Sequence, residues 1–342
     1  MGGEIWAISI TAAVIPTVAY VLILWWFDRY EKEPRRLLLA TFIWGAVPAA
    51  ILSIIGESVL GEPLAILDQA SAELVSSSLL APIVEELAKG LAVFLLLLAF
   101  WREFDDVLDG IIYGATIGFG FAMTENVFYF ADSMQRAGLD GLTTSVFFRA
   151  IIFGMNHALF TSVLGASLGY ARMGAQGCRR WAMPPLGLLG AMFLHGLHNL
   201  LASFSNMVCL LLSVMNNWSG VLVILVVMLL AAQQEKRWIA THLKAEVESG
   251  LLTVGEYDII GSYRKRIGAI WRARMRYGRS EAQRLNKLAQ LAAELAFKVQ
   301  QGDERTAQKL REKIVALRGT QATVAQEPAV SGKDDQTPGN QP

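Results

Sequence analysis

Two adjacent glutamates, Glu85 and Glu86, lie inside an apolar run that covers residues 79–98. A charged side chain at the centre of a bilayer costs at least about 2.5 to 3.5 kcal/mol, so a carboxylate pair there needs polar partners or a wet cavity. Pro82 is predicted to lie in the first turn of its helix, which would bring the helix N-terminus close to the glutamates. Ionisable groups in such a run are the first candidates for a functional site.

The composition indicates a polytopic membrane protein. The chain is 54% hydrophobic and 18% charged, with a mean hydropathy of +0.40, a combination that is rare in soluble globular proteins. Windows of about 20 apolar residues predict about seven spans in an all-α transmembrane helical bundle, with a break at 216–219 before the last one. The predicted spans cover residues 6–27, 37–56, 79–100, 109–131, 149–171, 184–212 and 218–234.

The segments that connect the spans alternate in charge. Those after the first, third and fifth spans contain Lys or Arg, whereas those after the second and sixth contain neither. Because cytoplasmic loops carry the excess of Lys and Arg, this pattern predicts an extracytoplasmic N-terminus and a cytoplasmic C-terminus. We therefore expect a multi-pass protein of the inner (plasma) membrane.

Three segments follow the predicted transmembrane domain at 1–234. Residues 235–280 are basic and amphipathic, and we expect them to lie on the anionic inner leaflet of the bilayer instead of binding nucleic acid. Residues 281–318 have apolar side chains at helical spacing around a Gln-Gly-Asp break, which predicts a helical hairpin or a coiled-coil-like segment. Residues 319–342 are polar and are predicted to be disordered.

Polar side chains recur in four predicted spans at comparable depth. With a rise of about 1.5 Å per residue, they lie about 9 to 20 Å below the outer surface. Glycines in the same spans would let these helices approach closely, so one shared polar centre in the outer half of the membrane is expected. We interpret Lys89 as a counter-ion of Glu85 and His198 as structural. The full set is Glu85, Glu86, Lys89, Glu125, Asn126, Asn156, His157, Thr161, His195, His198 and Asn199.

Two kinds of hydrolysis suit these groups. Imidazole and carboxylate ligands with a further glutamate suit Zn²⁺-assisted hydrolysis, in which the metal polarises water and the glutamate takes its proton. The same residues suit a metal-free mechanism, with a glutamate as general base and a His–Asn pair at the oxyanion. A proton-coupled transporter with a Glu/His relay is the alternative, which the single polar layer and the lack of a visible two-half repeat disfavour.

The motifs, taken in order, resemble those of the PrsW family of intramembrane proteases, a distant relative of the CAAX-prenyl-protease and bacteriocin-immunity superfamily. The resemblance covers most of residues 1–232. In CAAX-type relatives the second motif is FxxxH, and here it is FxxxE. The motifs are DRYEKEP at 28–34, EExxK at 85–89, DGIIYG at 109–114, FxxxEN at 121–126, HxxxT at 157–161 and HxxxN at 195–199.

The resemblance implies a metalloprotease-type activity on membrane-anchored proteins, best known for the release of an anti-sigma factor at the extracytoplasmic side. Carried over by motif, Glu85 and Glu86 match the essential glutamate pair. We therefore predict an intramembrane endopeptidase in which Glu86 is the general base, Glu85 positions or shares the proton, and Asn199 donates a hydrogen bond.

The remaining polar motifs supply Glu125, His157 and His195. These three residues are predicted to bind a Zn²⁺ ion, or to contact the water and the oxyanion directly. A protease-like scaffold without activity is disfavoured, because every motif position keeps a reactive residue.

Overall fold

A computed structural model describes residues 2–28, 32–173 and 176–324, and within these ranges it contains helices and no β-strand. This confirms the all-α prediction. Short π-helical turns connect α2 to α3 (Gly45–Ala49) and α4 to α5 (Ser76–Leu80), and a third follows α6 (Phe147–Ile152). The first nine α-helices are α1 (Gly2–Phe27), α2 (Arg35–Trp44), α3 (Ala50–Gly61), α4 (Gln69–Val75), α5 (Ala81–Ala99), α6 (Val107–Val146), α7 (Asn156–Arg172), α8 (Cys178–Ser203) and α9 (Met207–Glu248).

Five stretches of the described residues are long and apolar enough to cross a membrane. The longest of them contains both α6 and α7, and α5 lies outside the set because it carries three charged side chains. These stretches agree with a multi-pass membrane protein, while the count of seven spans and their orientation stay predictions. The stretches are Gly2–Phe27, Arg35–Ile66, Val107–Arg172, Cys178–Ser203 and Met207–Glu248.

The predicted break at 216–219 is wrong, because α9 runs through these positions. The chain leaves the helical conformation at 204–206 instead, where the Asn206 side chain accepts a hydrogen bond from the backbone N–H of Cys209 at 2.9 Å. Within α9, the side chains of Asn217 and Trp218 both donate to the carbonyl oxygen of Ile152, at 3.4 and 3.1 Å. A local sequence pattern cannot predict hydrogen bonds between residues so far apart in the chain.

The predicted position of Pro82 in a first helical turn is also wrong. Helical backbone begins at Gln69, after the cap residue Asp68, and continues through a π-helical turn into α5. Proline has no N–H to donate to a preceding carbonyl. In the turn before Pro82, the carbonyl oxygen of Ser77 accepts a hydrogen bond from a side-chain atom, Asn199 Nδ2, at 2.9 Å. The glutamate pair therefore lies inside a long helical stretch, remote from its N-terminus.

Close packing of α6 against α7 positions the HxxxT motif. A Cβ atom on Gly118 would lie 2.3 Å from the carbonyl oxygen of His157, and one on Gly114 would lie 2.6 Å from that of Thr161. No side chain fits between the two backbones at these positions, so glycine lets the helices meet directly. This contact holds His157 and Thr161 against α6.

The chain divides into two compact units, with the boundary between Gln233 and Gln234. Unit 2 contains the end of α9 together with α10 (Val254–Ile260), α11 (Tyr263–Tyr277), α12 (Arg279–Gln300) and α13 (Glu304–Val324). A break at 301–303 separates α12 from α13, and the two helices pack against each other.

Helix α13 includes residues 319–324, and the disorder predicted for 319–342 stays a prediction. The rest of that predicted segment, 325–342, lies outside the described residues. Residues 29–31 of the DRYEKEP motif lie outside them as well.

Candidate active site

Lys89 lies at the centre of the polar cluster and is fully buried. Its Nζ atom is 2.6 Å from Glu86 Oε1, 3.3 Å from Glu85 Oε2 and 3.1 Å from His157 Nδ1. A buried charge without a partner is strongly destabilising, so these contacts are what allows α5 to carry its charges in an apolar setting. The closest carboxylate to Lys89 is Glu86, whereas the sequence analysis had assigned Lys89 to Glu85.

Glu86 holds the imidazole of His195. Its Oε1 atom lies 3.0 Å from His195 Nδ1, and its Oε2 atom accepts a hydrogen bond from Thr161 Oγ1 at 3.2 Å. An ionised carboxylate only accepts hydrogen bonds, so the proton of neutral His195 is assigned to Nδ1. The lone pair on Nε2 then faces Glu85, whose Oε2 atom is 3.9 Å away. Phe160 stacks on the imidazole with a centroid separation of 4.8 Å.

Glu125 holds the imidazole of His157 in the same way that Glu86 holds that of His195. Its Nε2 atom lies 2.8 Å from Glu125 Oε2, so its proton is assigned to Nε2. Its Nδ1 atom faces Glu85 Oε2 at 3.8 Å and accepts a hydrogen bond from Lys89. Each histidine is thus held by a carboxylate through one nitrogen and presents the other nitrogen to Glu85. Metal-ligating histidines are commonly held in this way.

The donor atoms of Glu85, His157 and His195 all lie within 4.8 Å of one another. One carboxylate oxygen and two imidazole nitrogens form a set that suits Zn²⁺. Together with Glu86 and Glu125, Glu85 makes three carboxylates in this group, and Lys89 and Arg149 are its two basic side chains. With neutral histidines and all three carboxylates ionised, one negative charge is left over, which favours a cation. The residues present therefore fit a metal ion.

The predicted metal-ligand set contained Glu125, whereas the converging donor set has Glu85 in that place. Glu125 contacts His157 through Nε2, the ring nitrogen that does not face Glu85. It also forms an ion pair with Arg149 at 2.8 Å. Both contacts direct its carboxylate away from the centre of the donor set, so ligation by Glu125 stays a prediction.

Two cavities reach this group of residues. The first has a volume of about 780 Å³ and is lined by Glu85 and parts of α3 and α4. The second has a volume of about 440 Å³ and is lined by His157 and His195. Glu86 is only 1% exposed and lines neither of them. Solvent therefore reaches Glu85 and not Glu86. The residues that line both cavities are Ser77, Glu125, Tyr129, Asn199 and Ser203.

The other predicted polar residues surround this centre. Asn199 lines both cavities and uses one of its two amide N–H groups for the bond to Ser77. His198 lies on the second cavity, and its Nδ1 atom is 2.7 Å from Ser213 Oγ on α9. Asn126 accepts a hydrogen bond from Arg149 Nε at 3.0 Å. His198 and Asn126 therefore contact neighbours of the central group and not Glu85.

Arg149 is a site residue that the sequence analysis treated only as a span boundary. Its guanidinium contacts Glu125 and Asn126 and lies 3.6 Å from the ring centroid of Tyr129. Arg149 thus holds Glu125 in a fixed position beside His157. The sequence did offer a signal for this role, because Arg149 is a lone arginine at the edge of an apolar span. The other predicted spans together carry more carboxylates than basic groups, so a basic partner was needed.

Comparisons with known proteins identify the family of the chain. The family model of the PrsW intramembrane metalloproteases matches residues 33–232. Protease PrsW of Geobacillus kaustophilus is 30% identical over 197 residues, which cover 56% of this chain and 77% of the relative. Protease PrsW of Bacillus subtilis is 29% identical over 211 residues, which cover 60% and 88%. No solved structure matches. Since the family model spans more than half of the chain and includes every residue of the site, the chain belongs to the PrsW family of intramembrane metalloproteases.

Proposed function

We propose that the chain is an endopeptidase that cuts a single-pass, anti-sigma-factor-like membrane protein near the extracytoplasmic side of the bilayer. The observation that carries this proposal is the pair of histidines, each held by a carboxylate and each directed at Glu85. The first cavity supports the location, because its lining includes Glu57 of α3 and part of α4. Glu57 and α4 belong to the segment between the second and third predicted spans, which is expected to be extracytoplasmic.

In this proposal the reacting water is activated beside Glu85 Oε2, His157 Nδ1 and His195 Nε2. A divalent ion held by these three residues would supply polarisation of the water and of the scissile carbonyl. Glu86 and Glu125 keep the protons of the histidines on the outer nitrogens, so that the inner nitrogens stay unprotonated. This role makes Glu86 a positioning residue, in place of the general base that the sequence analysis favoured.

Proton transfer is assigned to Glu85, the central carboxylate that solvent reaches. Glu125 lines both cavities with a side chain that is 23% exposed, and it keeps the proton of His157 on Nε2. In a metal-free reaction Glu85 itself has the position of the general base. Asn199, which lines both cavities, donates its second amide N–H to the developing oxyanion.

The test uses purified full-length protein in proteoliposomes with a single-pass reporter that carries an anti-sigma-factor transmembrane segment. We expect two fragments, with a new terminus near the predicted extracytoplasmic end of that segment, as determined by mass spectrometry. Protein with the Glu85→Gln substitution is the control. Intact reporter, together with proton-coupled solute uptake that Glu86→Gln abolishes, would instead identify a transporter. Intact reporter that remains bound without any flux would identify an inactive scaffold.

The contacts of Arg149 give a further expected result. The Arg149→Gln substitution removes a charge-assisted hydrogen bond of about 1.5 to 3 kcal/mol, so we expect the initial cleavage rate to fall roughly 10- to 100-fold. Arg149→Lys keeps the charge and should recover part of the rate. The matched control is Arg136→Gln, since Arg136 pairs with Asp132 on an exposed part of α6. Equal rates for Arg149→Gln and wild type would show that Glu125 does not need this partner.

A further inference from the structure

Helix α11 in unit 2 has two apolar faces. One face packs on α12 and contains the buried residues Ala269 and Ala273. The opposite face carries Ile267, Trp271 and Met275, which are 49%, 62% and 69% exposed. Side chains four residues apart lie on the same side of a helix, so these three form a continuous stripe, here called the α11 stripe. Contiguous exposed apolar side chains of this size mark an interaction surface more often than scattered single ones do.

The surroundings of the α11 stripe are strongly basic. Helix α11 has six Lys and Arg residues and no acidic residue. Among the residues that the structure describes, no acidic side chain forms a salt bridge with the exposed arginines of α11, whereas other basic residues of unit 2 do form ion pairs. Examples of these pairs are Lys265 with Asp258, Arg284 with Glu281, Arg311 with Glu246 and Arg318 with Glu256. The exposed arginines of α11 are Arg264, Arg272, Arg274 and Arg276.

We propose that the α11 stripe docks unit 2 on an anionic lipid surface. In this arrangement Ile267, Trp271 and Met275 enter the boundary between headgroups and acyl chains, and the flanking arginines contact lipid phosphates. Apolar and aromatic side chains flanked by Lys and Arg are typical of helices that lie in a membrane interface. Each basic residue near such a surface adds to the attraction between the protein and the anionic headgroups. The predicted cytoplasmic C-terminus would place unit 2 beside the anionic leaflet.

Two observations favour lipid over nucleic acid as the occupant. Nucleic-acid backbone binding relies on basic and polar contacts to phosphates, and it gives no role to three large apolar side chains in the middle of the basic surface. The chain also passes from its last predicted span directly into unit 2, so a bilayer surface is always within its reach. The docking concerns unit 2 and does not depend on the chemistry proposed for Glu85.

The experiment places a nitroxide on full-length protein at Met275→Cys, in a background with Cys178→Ser and Cys209→Ser, the two native cysteines. The protein is reconstituted in nanodiscs of phosphatidylcholine, with or without phosphatidylglycerol. Collision of the label with oxygen and with a water-soluble nickel chelate reports its depth. With phosphatidylglycerol we expect several-fold more collision with oxygen than with nickel, and the reverse in phosphatidylcholine alone. The control label is at Gln308→Cys, an exposed position on α13, and should stay aqueous in both discs.

Each other outcome overturns the proposal. A label at Met275→Cys that stays aqueous in both discs shows no docking, and equal depth in both shows that anionic lipid is not recognised. Protection from both collision reagents indicates a protein partner, and protection that appears only with added duplex DNA indicates nucleic acid.

Joint substitution of Arg264, Arg272 and Arg276 by Gln should return the label to water while the α-helical circular dichroism is unchanged. None of these readouts uses cleavage, so they stand whether or not the proposed protease activity is found.

Discussion

Replacement of Glu85 by glutamine is expected to lower cleavage of the membrane-anchored reporter by roughly 10³-fold or more. Glu85 is the carboxylate that faces both inner histidine nitrogens and the larger cavity. Its loss removes a candidate metal ligand and also the candidate base of a metal-free reaction, and general-base catalysis alone is worth about 10² to 10⁴-fold. Initial cleavage rates at equal protein concentration measure the effect.

The comparison with Glu86→Gln separates the two adjacent glutamates. In the proposed reaction Glu86 acts only through His195 and Lys89, so we expect the smaller loss of about 10- to 100-fold that removal of such a supporting contact causes. Glu57→Gln is the matched control, because Glu57 lines the same cavity as Glu85 but is not one of the three converging donors, Glu85, His157 and His195. The reverse order, with Glu86→Gln inactive and Glu85→Gln active, would return the role of general base to Glu86.

Substitution of His157 or His195 by alanine is expected to remove bound metal together with activity. Elemental analysis of detergent-purified protein should show nearly one zinc ion per wild-type chain and less than about one tenth of that in either variant, because each loses one of three protein ligands. Glu85→Gln should lose metal as well. Glu125→Gln should keep a measurable share, because weakened support of a ligand lowers affinity by about 10- to 100-fold.

His198→Ala is the matched control for these histidines, since His198 lines the second cavity but bonds to Ser213 instead of facing Glu85. It should retain both metal and cleavage. Metal lost with Glu125→Gln and kept with Glu85→Gln would restore the predicted ligand set of Glu125, His157 and His195. Cleavage by metal-free protein that still requires Glu85 would establish a glutamate-activated mechanism.

The sequence by itself determined the class of protein and the residues to examine. Apolar runs and sparse charge identify membrane helices, because an unpaired charge is costly in hydrocarbon. The same cost made the buried polar residues stand out in their spans, including Glu85, His157 and His195. Ordered motifs were sufficient to indicate the PrsW family, which the comparisons confirm. Each of these inferences depends on the residues of one segment at a time.

Only the tertiary structure decided how the residues are paired. Neighbouring residues on a helix point about 100° apart, so the sequence left open which of Glu85 and Glu86 faces the site. The structure buries Glu86 against Lys89 and His195 and opens Glu85 to a cavity. Arg149 became a site residue only because its span lies beside Glu125. Such pairings depend on how closely whole helices approach one another, and contacts between distant segments leave no local periodicity in the chain.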